Sequence, residues 1–429
     1  MGQNVLLLSV ILNKGCSTNI PQTMAKVVIV GAGPTGACLA LMLARRGIAV
    51  TLVEAARDFQ RQFRGEGLMP SGLDALSQMG LDSLLKTIPH RPLSAWEFWL
   101  NDRRLFRADE PMGAARPCTL VSQPPLLTAL VQLAQAKPGF DWIAGTAVKD
   151  LLWQNDCVAG VHLADDRTLE ADLVIGADGR ASALRQRADL TLETQPKSID
   201  VLWFKLPAPP GYEADNRFCT VVKQGRVFSL FHGAEAGQLH LAWAISPDEP
   251  TERKDWATTF ANLVPPELVE HFRSATDSIL PPLRLSVVVG RCPRWHRPGL
   301  LLLGDAAHPM SPVRAQGINL ALRDVIVAAN HLVPLLKASA GSAPDSVAPD
   351  PAALDQALAR IQAEREPEIV EAQRLQAHEA SRGELLRRFG LLRQGLSTLS
   401  PVTGPLVKQV WSSQQIPLRQ GITAVQLEV

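Results

Sequence analysis

The sequence predicts an α/β protein: a doubly wound, parallel-stranded domain, an antiparallel sheet inserted into it, and a C-terminal helical region. Three observations predict it. Lys26 to Glu54 reads as apolar strand, glycine turn, apolar helix and second strand (KVVIV, GAGPTG, ACLALMLARRG, AVTLVE). Two later apolar runs, DLVIGADG and GLLLLGDAAHPMSP, stop abruptly on an aspartate beside a glycine. Between them RVFSLFHG and QLHLAWAI alternate with period two, as strands of an antiparallel sheet with two unlike faces do.

The bulk values narrow the function. A chain of 429 residues is too long for one simple core and suits two or three domains. Its 43 Lys+Arg against 42 Asp+Glu leave a net charge of +1, which gives no electrostatic case for nucleic acid. The six cysteines form no C-x-x-C pair, and His378-Glu379 lacks the second histidine of a zincin motif, so no metal is expected. The expectation is a protein of the reducing cytoplasm. Val5 to Leu12 is too short an apolar run to span a bilayer and has no basic region before it, so residues 1–23 read as an N-terminal extension ahead of a working start at Met24.

Along the chain, residues 24–195 form the first part of the parallel domain and 196–290 the antiparallel sheet. Residues 291–337 return to the parallel domain, and 352–429 are helical after an Ala/Ser/Pro-rich linker. In the first part, Gly31 permits the tight turn, Gly33 lets a pyrophosphate approach the backbone, and Gly36 allows close helix packing. Pro34 and Thr35 open a helix whose free N–H groups face that phosphate. Glu54 closes the next strand, where an acid can bind ribose hydroxyls. This is a Rossmann-like dinucleotide site. A helix covers Pro70 to Met79, short strands lie near Ala95–Leu100 and Leu105–Arg107, and another helix follows Pro124-Pro125. In the inserted sheet, Leu239, Leu241, Trp243 and Ile245 share one face. The last apolar strand, Leu300 to Leu303, leads through Gly304-Asp305 and a proline-stiffened loop to a helix from Asn319.

The ordered triple GAGPTG, GADGRASALR and GDAAHPMSPVRAQGIN resembles the class A flavoprotein monooxygenases, the para-hydroxybenzoate hydroxylase-like family, over most of Lys26 to Leu335. The resemblance implies FAD. Glu54 would take its adenosine ribose, Arg64 the pyrophosphate region, Gln123 a place near the flavin, and Asp178 with Arg180 both FAD and a transient NADPH or NADH. Gly304 and Asp305 would hold the ribityl or pyrophosphate part. Pro312, Gln316 and Gly317 would border the flavin ring, with Gly317, Ile318 and Asn319 stabilising its anionic reduced form. The implied activity is NAD(P)H- and O2-dependent hydroxylation of a hydrophobic aromatic, quinone-like or polyketide-like small molecule through a C4a-hydroperoxyflavin.

The chain departs from the family pattern at Ala315, where many relatives have glycine, and in having Tyr212 as its one tyrosine, so a tyrosine relay for deprotonating a phenol does not carry over. His232, His240 and Trp243 are the candidate substrate contacts, each set against a packing role. His308 reads as a loop-ordering hydrogen bonder and Arg314 as a solvated neighbour of the loop. No W-x-W-x-I-P supports a halogenase, and no second glycine fingerprint or C-x-x-C supports a disulfide reductase. A flavin-dependent reductase or dehydrogenase of an isoprenoid, and a non-enzymatic flavin-binding protein, stay open. Glu384 to Leu396 (ELLRRFGLLRQGL) fits either an amphipathic helix packed on its own protein or an interfacial helix touching a membrane.

Overall fold

The computed structural model describes residues 26–60, 66–196, 199–209, 214–249, 255–274, 279–341 and 349–429. The expectations for Arg64, Tyr212 and the 1–23 extension lie outside the described residues. The first layer is a six-stranded sheet in the order His296–Arg297, Leu300–Leu302, Leu173–Gly176, Lys26–Val30, Ala49–Glu54, Phe140–Ala144. The last five strands are parallel. Parallel strands need helical crossovers, and their near-continuous valine and leucine runs are buried on both faces for that reason. One consequence positions the site. The strands Lys26–Val30, Ala49–Glu54, Leu173–Gly176 and Leu300–Leu302 all end at the same edge, so the glycine loop, Glu54, Asp178 and Asp305 meet there although they lie far apart in sequence.

The helices are α1 (Pro34–Arg45), α2 (Pro70–Gln78), α3 (Asp82–Leu85), α4 (Gln123–Gln135), α5 (Ala183–Arg187), α6 (Trp256–Ala261), α7 (Val269–Ser274), α8 (Gln316–Gly341), α9 (Pro351–Arg388), α10 (Gly390–Thr398) and α11 (Ser400–Gln420). Helix α8 begins three residues before the expected Asn319 and lies against α1, α2 and α9 in the main core. A stretch containing most of it, Val313–Lys337, is long and apolar enough to cross a membrane, but 72% of its most apolar window is buried inside the protein. It is a core helix.

The second layer is a seven-stranded sheet ordered Leu283–Ser286, Asp200–Pro207, Gln238–Ile245, Arg226–His232, Arg217–Lys223, Ala95–Leu100, Arg103–Asp109. Its last two strands come from ahead of residue 196, and Ala95–Leu100 joins Arg217–Lys223 in parallel. Alternation splits the sheet into two faces. Leu202, Phe204, Leu239, Leu241 and Trp243 pack onto Phe260 and Phe272 of α6 and α7. Trp203, Phe218 and Phe231 point the other way, toward the first layer.

A buried charge cluster joins the C-terminal part to the first layer. Arg365 donates to Asp324 at 2.9 Å and pairs with Glu368, while Arg323 donates to Glu368 at 3.0 Å. Asp324 also takes the Gly304 N–H at 3.2 Å and contacts His308 Nε2 at 2.8 Å. Burial alone would push both carboxyls up, but the neighbouring positive groups reverse this and hold them below their ordinary values.

Candidate active site

The glycine loop is shaped by close approach. Gly31 has φ +97°, and a Cβ there would stand 2.4 Å from the Ala177 carbonyl oxygen; one at Gly36 would stand 1.9 Å from that of Gly31. Gly33 meets nothing within 4 Å and opens onto a cavity. Pro34 begins α1 at no cost in hydrogen bonds, since the first-turn N–H groups have no helical partner. Glu54, 4% exposed, accepts the Ala32 and Ala56 N–H groups, each at 2.9 Å, and so anchors the loop to the neighbouring strand end.

Beside it, Asp178 Oδ2 accepts the Leu184 N–H at 3.1 Å, while Oδ1 is buried without a hydrogen-bond partner among the described residues. Burial pushes this carboxyl up, with the hydrogen bonds to Ser182 and Leu184 opposing. Arg180 reaches Asp305 at 3.4 Å, both side chains about a third exposed. The buried Arg185 guanidinium donates to the Ala306 carbonyl at 2.9 Å and to that of Arg180 at 2.8 Å, fastening the D-G and G-D segments together. Asp305 Oδ1 lies 3.6 Å from the point where a Gly317 Cβ would stand, beside the start of α8.

Gly31, Gly33, Pro34, Thr35, Glu54, Gln123, Asp178, Asp305, Pro312, Gly317 and Ile318 line one cavity of about 1440 Å³. Gly36, Gly304, Gln316 and Asn319 stand behind that lining. Gln316 donates to the carbonyls of Arg314 and Leu418, each at 2.8 Å. Asn319 accepts the Met69 N–H at 2.8 Å and donates to the Gly67 carbonyl at 3.1 Å. Their polar atoms hold in place the loop and the helix start that were expected to border the flavin ring and to stabilise its reduced form.

The far part of the cavity is aromatic, walled by Trp96, Phe98, Trp203, Phe218 and Phe231 from the sheet and Trp411 from α11. Trp243 and His232 lie on the opposite sheet face, because residues two apart share a side and both are in step with Leu230 and Leu241. They do not line the cavity. His240 is on the cavity side but is 1% exposed behind Trp203 and Phe231, with ring centroids 5.4 Å from each. Burial pushes it down to about 3, so it is neutral. His308 is a buried partner of Asp324, as a loop-ordering role requires.

Arg314 is not solvated. It sits at φ +58° with a side chain 7% exposed, and its guanidinium lies 4.7 Å from the Trp411 ring centroid and 5.1 Å from that of Trp96. It pairs with Glu379, and that charge more than offsets burial, leaving the Glu379 carboxyl below its usual value. Glu66 also lines the cavity and accepts the Ala234 N–H at 3.0 Å. Burial pushes its carboxyl above the usual range despite this hydrogen bond and the charge of Lys205.

Residues 24–346 match the family model described as an FAD binding domain. The chain belongs to the class A FAD-dependent flavoprotein monooxygenases. It is 32% identical over 312 residues to the 6-methylpretetramide 4-monooxygenase of Streptomyces rimosus, covering 70% of this chain and 73% of the relative. The 3-demethoxyubiquinol 3-hydroxylase of Escherichia coli is 29% identical over 327 residues, 72% of this chain and 78% of the relative. Among solved structures, p-nitrophenol 4-monooxygenase PnpA from Pseudomonas putida matches with TM-score 0.75 at 17% identity, covering 94% of this chain and 100% of PnpA. PqsL of Pseudomonas aeruginosa in complex with 2-aminobenzoylacetate matches with TM-score 0.72 at 23% identity, over 87% of this chain and 99% of PqsL. At these identities the structural likeness shows the fold.

For a monooxygenase of this family the donor set fits FAD. The open side of Gly33 at the start of α1 suits a pyrophosphate, and the unpartnered Asp178 Oδ1 is an acceptor left for a ligand hydroxyl. Sequence reasoning missed Glu66, Trp96 and Trp411 as lining residues and Arg314 as a buried one. Glu66 stands in RGEGLMPSG, two residues after Arg64, so an acid wedged between glycines was the available signal. Trp411 carried none, since only the packing of α11 on Arg103–Asp109 brings it in.

Proposed function

We propose that this monooxygenase uses NADPH or NADH and O2 to hydroxylate a hydrophobic aromatic or polyketide-like small molecule bound in the aromatic half of the cavity. The observation that carries the reading is the continuity of one space. Its polar end is set by Gly33, Glu54, Asp178 and Asp305, and its apolar end by Trp96, Trp203, Phe218, Phe231 and Trp411. At about 1440 Å³ it exceeds the ~300–1000 Å³ typical of a single small-ligand site, as room for a cofactor and a substrate together requires. The names of the relatives, a pretetramide monooxygenase and a demethoxyubiquinol hydroxylase, support a cyclic, largely apolar substrate.

In this reading Glu54 accepts from the adenosine ribose, the α1 terminus faces the pyrophosphate, Asp305 accepts from flavin hydroxyls, and the Pro312–Gly317 loop borders the ring. FAD, once reduced by the nicotinamide nucleotide, supplies the reaction with O2 that delivers one oxygen atom to the substrate. The protein's own work is to position the substrate and keep the chamber dry, which its aromatic walls do. Glu66 takes the proton of a phenolic substrate. It lines the chamber with a carboxyl that burial raises, and it has no ion pair among the described residues, whereas Glu379 is committed to Arg314. A panel of phenols, quinols and polyketide-like compounds tested for NAD(P)H oxidation, with labelled oxygen gas, decides the matter. One labelled atom in the product is the expected result. Anaerobic reduction of a double bond without label replaces it with the isoprenoid-reductase reading, and FAD binding with no NAD(P)H oxidation across the panel replaces it with a non-enzymatic flavoprotein.

A further inference from the structure

Large apolar side chains exposed to solvent gather in one part of the described surface. Leu385 and Phe389 at the end of α9 and Leu391 and Leu392 in α10 are between 47% and 92% exposed. The expected continuous helix over Glu384 to Leu396 is broken at Phe389, which turns these side chains outward together. In α11, Val402, Leu406 and Val410 recur every four residues, and with Ile416 they form one outward stripe, each 45% exposed or more. Trp411 on the inward side of the same helix holds Arg314. Leu406 and Val410 are exposed and also line the cavity, so the chamber opens onto this apolar face.

The charge around the stripe identifies its partner. Between Ala380 and Leu418 stand five basic residues, Arg382, Arg387, Arg388, Arg393 and Lys408, and one acid, Glu384, in a chain whose net charge is only +1. A second copy of this face would bring the same positive charges against one another, whereas anionic lipid headgroups complement them. Helix α10 has 9 residues, and α11 exposes one stripe and carries Pro405 and Pro417 inside it, a form that suits lying on a membrane surface and not crossing it.

We propose that the α9–α10–α11 face docks on an anionic lipid surface, with the leucine and valine stripe at the headgroup boundary and the cavity mouth turned toward the lipid. Delivery of an apolar substrate through that mouth would follow, and that consequence alone rests on the function proposed above. The test is co-sedimentation of the full-length, FAD-loaded protein with vesicles of phosphatidylcholine, with and without phosphatidylglycerol. The protein pellets with phosphatidylglycerol-containing vesicles, is released by salt, and stays in solution with phosphatidylcholine alone. Leu391→Asp with Val402→Asp, at positions 92% and 78% exposed and outside the cavity lining, keeps its flavin. This double variant binds the anionic vesicles at least about tenfold more weakly. Failure to pellet with either vesicle overturns the proposal, as does equal binding by the double variant. A dimer in light scattering that the double variant converts to monomer also overturns it and assigns the face to a second copy. None of these outcomes depends on turnover.

Discussion

Asp305 leaves a buried leucine strand at the edge of the cavity, half-covered and 3.4 Å from Arg180. A hydrogen bond to a charged acceptor is worth roughly 1.5–3 kcal/mol, so Asp305→Ala is expected to weaken FAD binding by about tenfold or more. Flavin titration by fluorescence checks this, and unchanged affinity reduces Asp305 to a partner of Arg180. Glu66 makes a prediction in pH. Its carboxyl is raised by burial and acts as a base only when ionised. Turnover of a phenol therefore climbs with pH through a midpoint above the usual carboxylate range. Glu66→Gln should remove that limb and lower kcat/KM by about 10²–10⁴-fold, with flavin affinity intact. A pH profile that keeps the limb assigns the proton to another group.

At the scale of elements, α11 is held against Arg103–Asp109 by the absence of a side chain. A Cβ at Gly404 would stand 2.2 Å from the Leu105 carbonyl oxygen. Gly404→Val must move the helix and with it Trp411, Leu406 and Val410, at a cost of about 1–3 kcal/mol typical of overpacking. The expected readout is a raised KM for the aromatic substrate with FAD affinity unchanged, since the glycine loop belongs to the other layer. The helices α8 and α9 depend instead on paired charge. Asp324 and Glu368 titrate below their ordinary values in the folded protein, so the stability they contribute is present above the unfolded carboxylate range and is lost as pH falls from there through their lowered folded values. Arg365→Met leaves two buried carboxylates short of a partner and should cost about 3–5 kcal/mol in denaturant unfolding at neutral pH. The loss shrinks in acid, where the carboxyls protonate.

For the whole molecule, the sequence carries a single dinucleotide-binding glycine loop, which FAD claims in the proposed mechanism, so the reduced nicotinamide nucleotide has no strand-loop-helix site of its own. In the proposed mechanism it visits transiently, and reduction coupled to substrate occupancy would limit futile peroxide formation. Stopped-flow reduction is expected to accelerate strongly when the aromatic half of the cavity is filled. A rate indifferent to a turned-over substrate removes such gating.

The parallel layer was legible because its evidence is local: strand, glycine turn, helix and acid follow one another in register, and each D-G or G-D ending announces a buried strand. Glu54, Asp178 and Asp305 could be named as a set before their strand ends were seen to meet. The antiparallel sheet was also legible as alternation, but alternation does not say which face looks inward. Trp243 and His232 could therefore be read either as substrate contacts or as packing, and the sheet gives them the packing face; Ala95–Leu100 gave no sign that it would pair with a strand more than a hundred residues later. Arg314 read as solvated because nothing nearby in sequence could neutralise it; Glu379, sixty-five residues on, does so. The sequence by itself determined the cofactor-binding layer, since local turn geometry and strand burial dictate those residue types. The tertiary structure alone decided the aromatic chamber, the burial of Arg314 and the outward stripe of α11, because each depends on long-range packing between elements that carry no local record of their neighbours.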